Sequence, residues 1–240
     1  PTGMVHFSQC AEARSSPGYI MGVLCVVVFV DSVFYGLPVP FMPQLLQSLG
    51  VSTTGIGFLF ASYSIACLIG ALVSGYYIDD ARSCRVVLFV SLFCFVGSAF
   101  LFAFCISFWL LVCARLLQGA SSALTFTSGY ALLALIFPSE KQGRVFGYLT
   151  TAMGVGVFAG PIFGSGLYTV SGGSKEFAFG VPATLLLLFS TLVVMMRPVE
   201  KTAESVPAET SQGGNLAALF RDPPLVMLTL TSLAYAGAAT

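Results

Sequence analysis

Charge is what this chain has least of. Ten Lys and Arg and ten Asp and Glu serve all 240 residues, so 8% of positions are charged against roughly 25% in a soluble domain. Net charge is zero, which leaves no polybasic surface for nucleic acid. Histidine occurs once, as His6 in the N-terminal tail, and the seven cysteines form no CxxC pair and no Cys/His set with metal-ligand spacing. Scattered through apolar runs, they read as small packing residues, and their odd number supports no disulfide framework. GxSxG, HExxH, a phosphate loop and paired catalytic carboxylates are all missing. Neither an enzyme nor a metal or cofactor site is therefore expected. A secretory signal is not expected either, because the first apolar run is too long and contains an acid.

What is abundant is apolar length. Apolar residues make up 57% of the chain, and charge-free intervals cover 86–114, 116–139, 145–174 and 177–196. About 20 apolar residues carry a helix across a bilayer core, so each interval can supply a span, and 32–78 holds most of two. Spanning strands would alternate strictly over about 10 residues, which these continuous runs do not. The expected class is an all-α membrane protein with six spans, near 20–45, 55–78, 86–106, 108–136, 145–170 and 177–196. A tail (1–18) precedes this bundle (19–197). A polar, Pro- and Gly-containing linker (198–223) follows it, and a seventh span starts in 224–240, as expected of a fragment of a larger protein.

Lys and Arg give the orientation. Alternating the sides places Arg14, Arg82, Arg85, Lys141, Arg144, Arg197, Lys201 and Arg221 together, and only Lys175 opposite. By the positive-inside rule the N-terminus and the linker are expected in the cytosol. The turn Glu140-Lys141-Gln142-Gly143-Arg144 reads as a cytosolic corner with incidental ion pairs. Six spans and a linker suggest half of a transporter built from inverted three-span repeats, in which the first and fourth spans are equivalent.

Those two spans carry the only charges well inside apolar segments, Asp31 and Arg115. An intramembrane charge is costly unless paired or solvated, and by default marks a functional site. With Tyr19 at one interface, Asp31 lies about 18 Å into a core about 30 Å thick; with Trp109 at the other, Arg115 lies about 9 Å below it. Similar depth is expected, where helices about 8–10 Å apart let the two meet directly or through water. A static ion pair, a carboxylate whose proton affinity answers to the cation, and a carboxylate that pairs with a cationic substrate all stay open. Gln118 lies one turn from Arg115 on nearly the same face, as a donor to Asp31 or substrate or as a helix–helix contact. Tyr35, four residues after Asp31, shares its face as a packing residue or an aromatic partner for an amine.

Three separated motifs have family counterparts. After the second span stands Gly75-Tyr-Tyr-Ile-Asp79-Asp80-Ala-Arg82-Ser-Cys-Arg85, similar to G-x-x-x-D-R-x-x-x-R-R: Gly75, Asp79 and Arg85 match, while Asp80 replaces the usual basic residue. The fourth span carries Arg115-Leu-Leu-Gln118-Gly119, matching R-x-x-Q-G, and the fifth carries Gly154-Val-Gly-Val-Phe-Ala-Gly160-Pro161-Ile-Phe-Gly164, close to G-x(5)-G-P-x-x-G. Over about residues 20–197 the sequence resembles the N-terminal half of the major facilitator superfamily. The first span, Asp31-Ser-Val-Phe-Tyr35-Gly36-Leu-Pro38-Val-Pro40, is most similar to the drug:proton antiporter and vesicular amine transporter branches. The resemblance implies a six-helix bundle of two inverted repeats, with Asp31, Arg115, Gln118 and Tyr35 at a site for substrate and proton. It also implies a conformational latch at Gly75, Asp79 and Arg85, and an antiporter-motif helix with Gly154, Gly160, Pro161 and Gly164.

Independently of any family, Gly75 reads as a close helix approach and Asp79 as a helix-end cap or ion-pair partner. Gly156, Gly160 and Gly164 form a stripe that lets another helix come close, beside a proline that removes one backbone bond. A packing seam and a gating role are both open for it. Pro38, Pro40 and Pro43 either kink or end the first span.

The function expected is antiport of an organic cation, amine or amphipathic compound against H+, working with a second six-span half in the lipid bilayer. Vesicular or vacuolar membranes suit the amine branch, and the plasma membrane suits drug export. A seven-span receptor fits the span count but not a cytosolic N-terminus, and a non-transporting half-size regulator is the other alternative.

Overall fold

The computed structural model describes residues 16–78, 81–104, 107–172 and 174, with positions 177, 179–181 and 184. The linker, the seventh span, most of the expected sixth span and residues 1–15 of the tail lie outside these. The described chain forms α1 (Pro17–Gly36), α2 (Met42–Ser48), α3 (Thr53–Tyr77), α4 (Ala81–Phe104), α5 (Phe108–Ile136) and α6 (Ser139–Val170). All but the short α2 are long and apolar enough to cross a membrane.

Local chemistry sets the ends of these helices. Ser16 caps α1, its Oγ accepting from the Tyr19 amide at 3.3 Å, with Pro17 in the first turn where no backbone donor is needed. Ser52 does the same for α3 through the Gly55 amide at 3.2 Å. The first span ends at Gly36, well short of the expected residue 45. Pro38 and Pro40 supply no N–H, so the chain turns through 37–41 and restarts as α2, whose first turn holds Pro43. Conversely, α4 and α6 begin several residues earlier than hydropathy suggests, taking in Arg82, Arg85, Glu140, Lys141 and Arg144. Apolarity stops at the bilayer boundary, whereas backbone hydrogen bonding continues into the polar region. In the corner between α5 and α6, Gln142 Nε2 donates to the Ala134 and Phe137 carbonyls at 3.0 and 3.1 Å, satisfying the end of α5.

Two seams of small residues organise the bundle: α1 packs chiefly on α6, and α3 on α5. In the first, a Cβ added at Gly156 would lie 2.6 Å from the Phe29 carbonyl, one at Gly160 would lie 2.6 Å from that of Val33, and one at Gly164 would fall on that of Leu37. From the other side, a Cβ at Gly36 would meet Pro161 Cδ at 2.9 Å and the Val157 carbonyl at 3.0 Å. That carbonyl is the one Pro161 leaves without its helical donor. In the second seam, a Cβ at Gly119 would fall on the Tyr63 carbonyl, and one at Gly70 would lie 3.0 Å from Ala123 Cβ. First span on fifth and fourth on second is the same pairing under exchange of the two repeats, as an inverted architecture requires. The described residues thus form an all-α bundle.

α4 packs on α5 and closes the core, which has two apolar clusters. One gathers Phe34, Phe41, Phe95, Phe102, Leu111 and Phe179, and the other Leu24, Val28, Leu88, Leu132, Val145 and Leu149. Between them runs a buried polar layer.

Candidate functional site

The polar layer is assembled by α1, α3, α4 and α5. From α5, Arg115, Gln118 and Ser122 point to one side because their spacing of three and four follows the helical repeat. Asp31 is 3% exposed, and its Oδ1 accepts from Ser122 Oγ at 2.8 Å. Its Oδ2 is buried with no hydrogen-bond partner among the described residues, as is the neighbouring Ser32 Oγ. Lower in the same layer, Ser91 of α4 and Thr125 of α5 share a hydrogen bond of 2.9 Å.

Arg115 has no solvent exposure. Its Nη1 donates to Gln118 Oε1 at 2.9 Å, and the guanidinium lies over the rings of Phe60 at 5.0 Å and Phe102 at 5.2 Å. Such ring contacts stabilise a desolvated cation by about 2 kcal/mol or more. Nε and Nη2 of Arg115 and Nε2 of Gln118 have no hydrogen-bond partner among the described residues. The layer is therefore polarised, with one acceptor unmet at Asp31 and three donors unmet at Arg115 and Gln118.

Asp31 and Arg115 do not meet, contrary to the expected similar depth. The carboxylate is bonded to Ser122, seven residues along α5 from Arg115, which is two helical turns or about 10 Å. Neither charge forms an ion pair among the described residues. The depth argument counted each charge from its own helix end, Asp31 from Tyr19 and Arg115 from Trp109, whereas the packing of the helices sets Asp31 beside Ser122. A static ion pair between the two is thereby removed from the readings.

Between the charges stand Tyr35 of α1 and Tyr63 of α3, ring centroids 4.7 Å apart at 45°. Tyr63 and Cys67 lie near Asp31, and both tyrosines lie near Arg115. Tyr63, Ser122, Phe60 and Phe102 were not picked out in the sequence. Ser122 could have been found by extending the Arg115–Gln118 spacing one more turn. Tyr63 had no such signal, because its approach depends on the missing side chain of Gly119 on another helix.

The remaining motif residues lie elsewhere. Asp79, and with it the centre of the latch, is outside the described residues. Arg85 Nε donates to the Ala81 carbonyl of its own helix at 3.2 Å. At Gly75 no described atom lies within 4 Å of where a Cβ would be, so the close approach expected there is not made among the described residues. Gly154 is equally open, whereas Gly156, Gly160, Pro161 and Gly164 form the seam with α1. That contact lies inside the bundle.

A family model described as Major Facilitator Superfamily matches residues 24–240. A probable vesicular acetylcholine transporter-B of Danio rerio is 32% identical over 202 residues, covering 80% of this chain and 40% of that protein. An uncharacterized MFS-type transporter of Schizosaccharomyces pombe is 29% identical over 200 residues, with 81% and 44% covered. Quinolone resistance protein NorA of Staphylococcus aureus is 26% identical over 180 residues, with 75% and 46% covered. The chain spans less than half the length of these relatives.

Proposed function

The chain belongs to the major facilitator superfamily, and on that premise we propose that it is the N-terminal half of a proton-coupled antiporter for an organic cation. The protein is an integral, multi-pass membrane transporter of that family. The observation that carries the finer reading is Asp31: an acid in the buried polar layer of a membrane bundle, held by one hydroxyl, with its second oxygen unpartnered and no cation bonded to it among the described residues. Such a carboxylate can hold a proton or face a cationic substrate, and competition between them is the requirement for antiport. Arg115 acts at a distance of about two helical turns, through Gln118 and the tyrosine pair, and not as a direct counter-ion. Relatives named for acetylcholine transport and for quinolone resistance support a nitrogenous organic substrate. The N-terminus lies in the cytosol in this reading, and a second six-span half completes the cavity.

The test is uptake by the full-length protein in proteoliposomes under an imposed pH gradient. Asp31→Asn abolishes pH-driven uptake while the protein still purifies as a monodisperse species. Uptake that survives the substitution unchanged overturns the reading.

A further inference from the structure

The described bundle divides into two blades, α1 with α6 and α3 with α4 and α5. Within each blade the helices are locked. Gly156, Gly160 and Gly164 of α6 each hold a carbonyl of the α1 chain where a Cβ would stand, and Gly119 of α5 holds one of α3. A turn or slide of either pair would drive those carbonyls into the side chains beside the glycines. α4 joins its blade through the buried bond between Ser91 and Thr125. Between the blades, contact is made by the ends of side chains. Phe34 meets Phe95 with centroids 5.3 Å apart, Tyr35 meets Tyr63 at 4.7 Å, and Leu24 and Leu149 lie against Gly129. Ser122 bonds Asp31, and Tyr130 and Thr150 share a bond of 2.9 Å. Side-chain ends can separate by changing rotamer, which a backbone seated in a glycine seam cannot do.

The two ends of this interface differ. At one end α5 turns into α6 through Phe137 and Pro138 alone, and Gln142 ties that corner to the last carbonyls of α5. At the opposite end the blades are joined by the longer segment 37–52. There one ring bridges them. Phe179, fully buried, stacks on Phe102 of α4 at 5.0 Å and meets Phe34 and Phe41 of the α1 chain at 5.9 and 5.6 Å. We propose that the bundle opens at this end, pivoting on the α5–α6 corner, with Phe179 as the clasp that holds the blades shut. Asp31, Arg115 and Gln118 lie between the blades and are buried while these are closed. The use of the opening rests on the carrier reading above: parting the blades gives a proton or cation its way to Asp31. The motion itself needs no substrate.

Double electron–electron resonance between nitroxide pairs on the cysteine-free full-length protein in detergent tests this. Leu110→Cys with Val170→Cys spans the blades at the opening end, and Gly22→Cys with Val170→Cys lies within one blade, all at exposed positions. With Phe179 intact, the spanning pair is expected to give the broader distance distribution. Phe179→Ala is expected to raise the longer-distance population of that pair at least about tenfold, because a buried ring is lost from the closed packing, and to leave the other pair unchanged. Distributions of equal breadth with Phe179 intact overturn the proposal, a result that stands even if Phe179→Ala fails to fold. A folded Phe179→Ala that leaves the spanning pair unchanged, or lengthens both pairs alike, also overturns it. If Asp31→Asn still abolishes pH-driven uptake in that case, only the opening falls. If Asp31→Asn takes up substrate normally, the carrier reading falls, and the distances decide the opening by themselves.

Discussion

A single hydroxyl decides where the acid of this bundle sits. Ser122 donates to Asp31 Oδ1 at 2.8 Å, and no other hydrogen bond from the described residues holds that carboxylate. Ser122→Ala leaves the oxygen in an apolar environment with no donor. The expected cost is about 1 kcal/mol, as for other side-chain hydrogen bonds inside membranes, and Ser122→Thr should recover most of it. Thermal unfolding of the purified variants in detergent checks both. Equal melting of wild type and Ser122→Ala would show that Asp31 takes its support from elsewhere. Sequence spacing placed Arg115 and Gln118 on one face, and they are bonded at 2.9 Å. It also suggested that the two charges meet, which fails because depth counted along separate helices ignores where each helix begins and breaks.

At the scale of helices, glycines matter where a neighbouring backbone occupies the space of their missing side chain. A methyl group at Gly119 collides with the carbonyl of Tyr63, held within α3, and one at Gly164 with the carbonyl of Leu37, just past the end of α1. Gly119→Ala and Gly164→Ala are each expected to destabilise by about 1–3 kcal/mol through overpacking. Gly154 belongs to the same motif but faces open space. Gly154→Ala is therefore expected to be neutral or to stabilise by about 0.5–1 kcal/mol, the helix-interior preference of Ala over Gly. Chemical or thermal denaturation of the three variants checks the opposite signs. The stripe Gly156, Gly160, Gly164 was legible as a seam, but its partner was not, since any helix with a small face would have satisfied the pattern.

For the molecule as a whole, the asymmetry of Lys and Arg predicts sidedness. In a background with the seven cysteines replaced, Ser107→Cys before α5 and Ser139→Cys at the start of α6 add one thiol each at exposed positions. A membrane-impermeant maleimide applied to sealed cells should label position 107 and label position 139 only after permeabilisation. The reverse pattern would invert the bundle and place the N-terminus outside. The pairing of first span with fifth and second with fourth sets both seams at repeat-related places. The polar layer they enclose is thus shared between the repeats, with Asp31 on one equivalent helix and Arg115 on the other.

The sequence alone determined the class, the spans from 53 to 170 to within a few residues, the family and the two buried charges. These follow from composition, length and local motifs, and the bilayer penalises charge so strongly that two exceptions stand out. Tertiary structure alone decided that Asp31 bonds to Ser122, that Arg115 lies between Phe60 and Phe102, and that Tyr63 stands beside the acid. Each is a contact between helices, set by how far one slides along another. That distance is fixed by the positions of Gly36, Gly119, Gly160 and Gly164 against facing backbone, a relation no single segment contains.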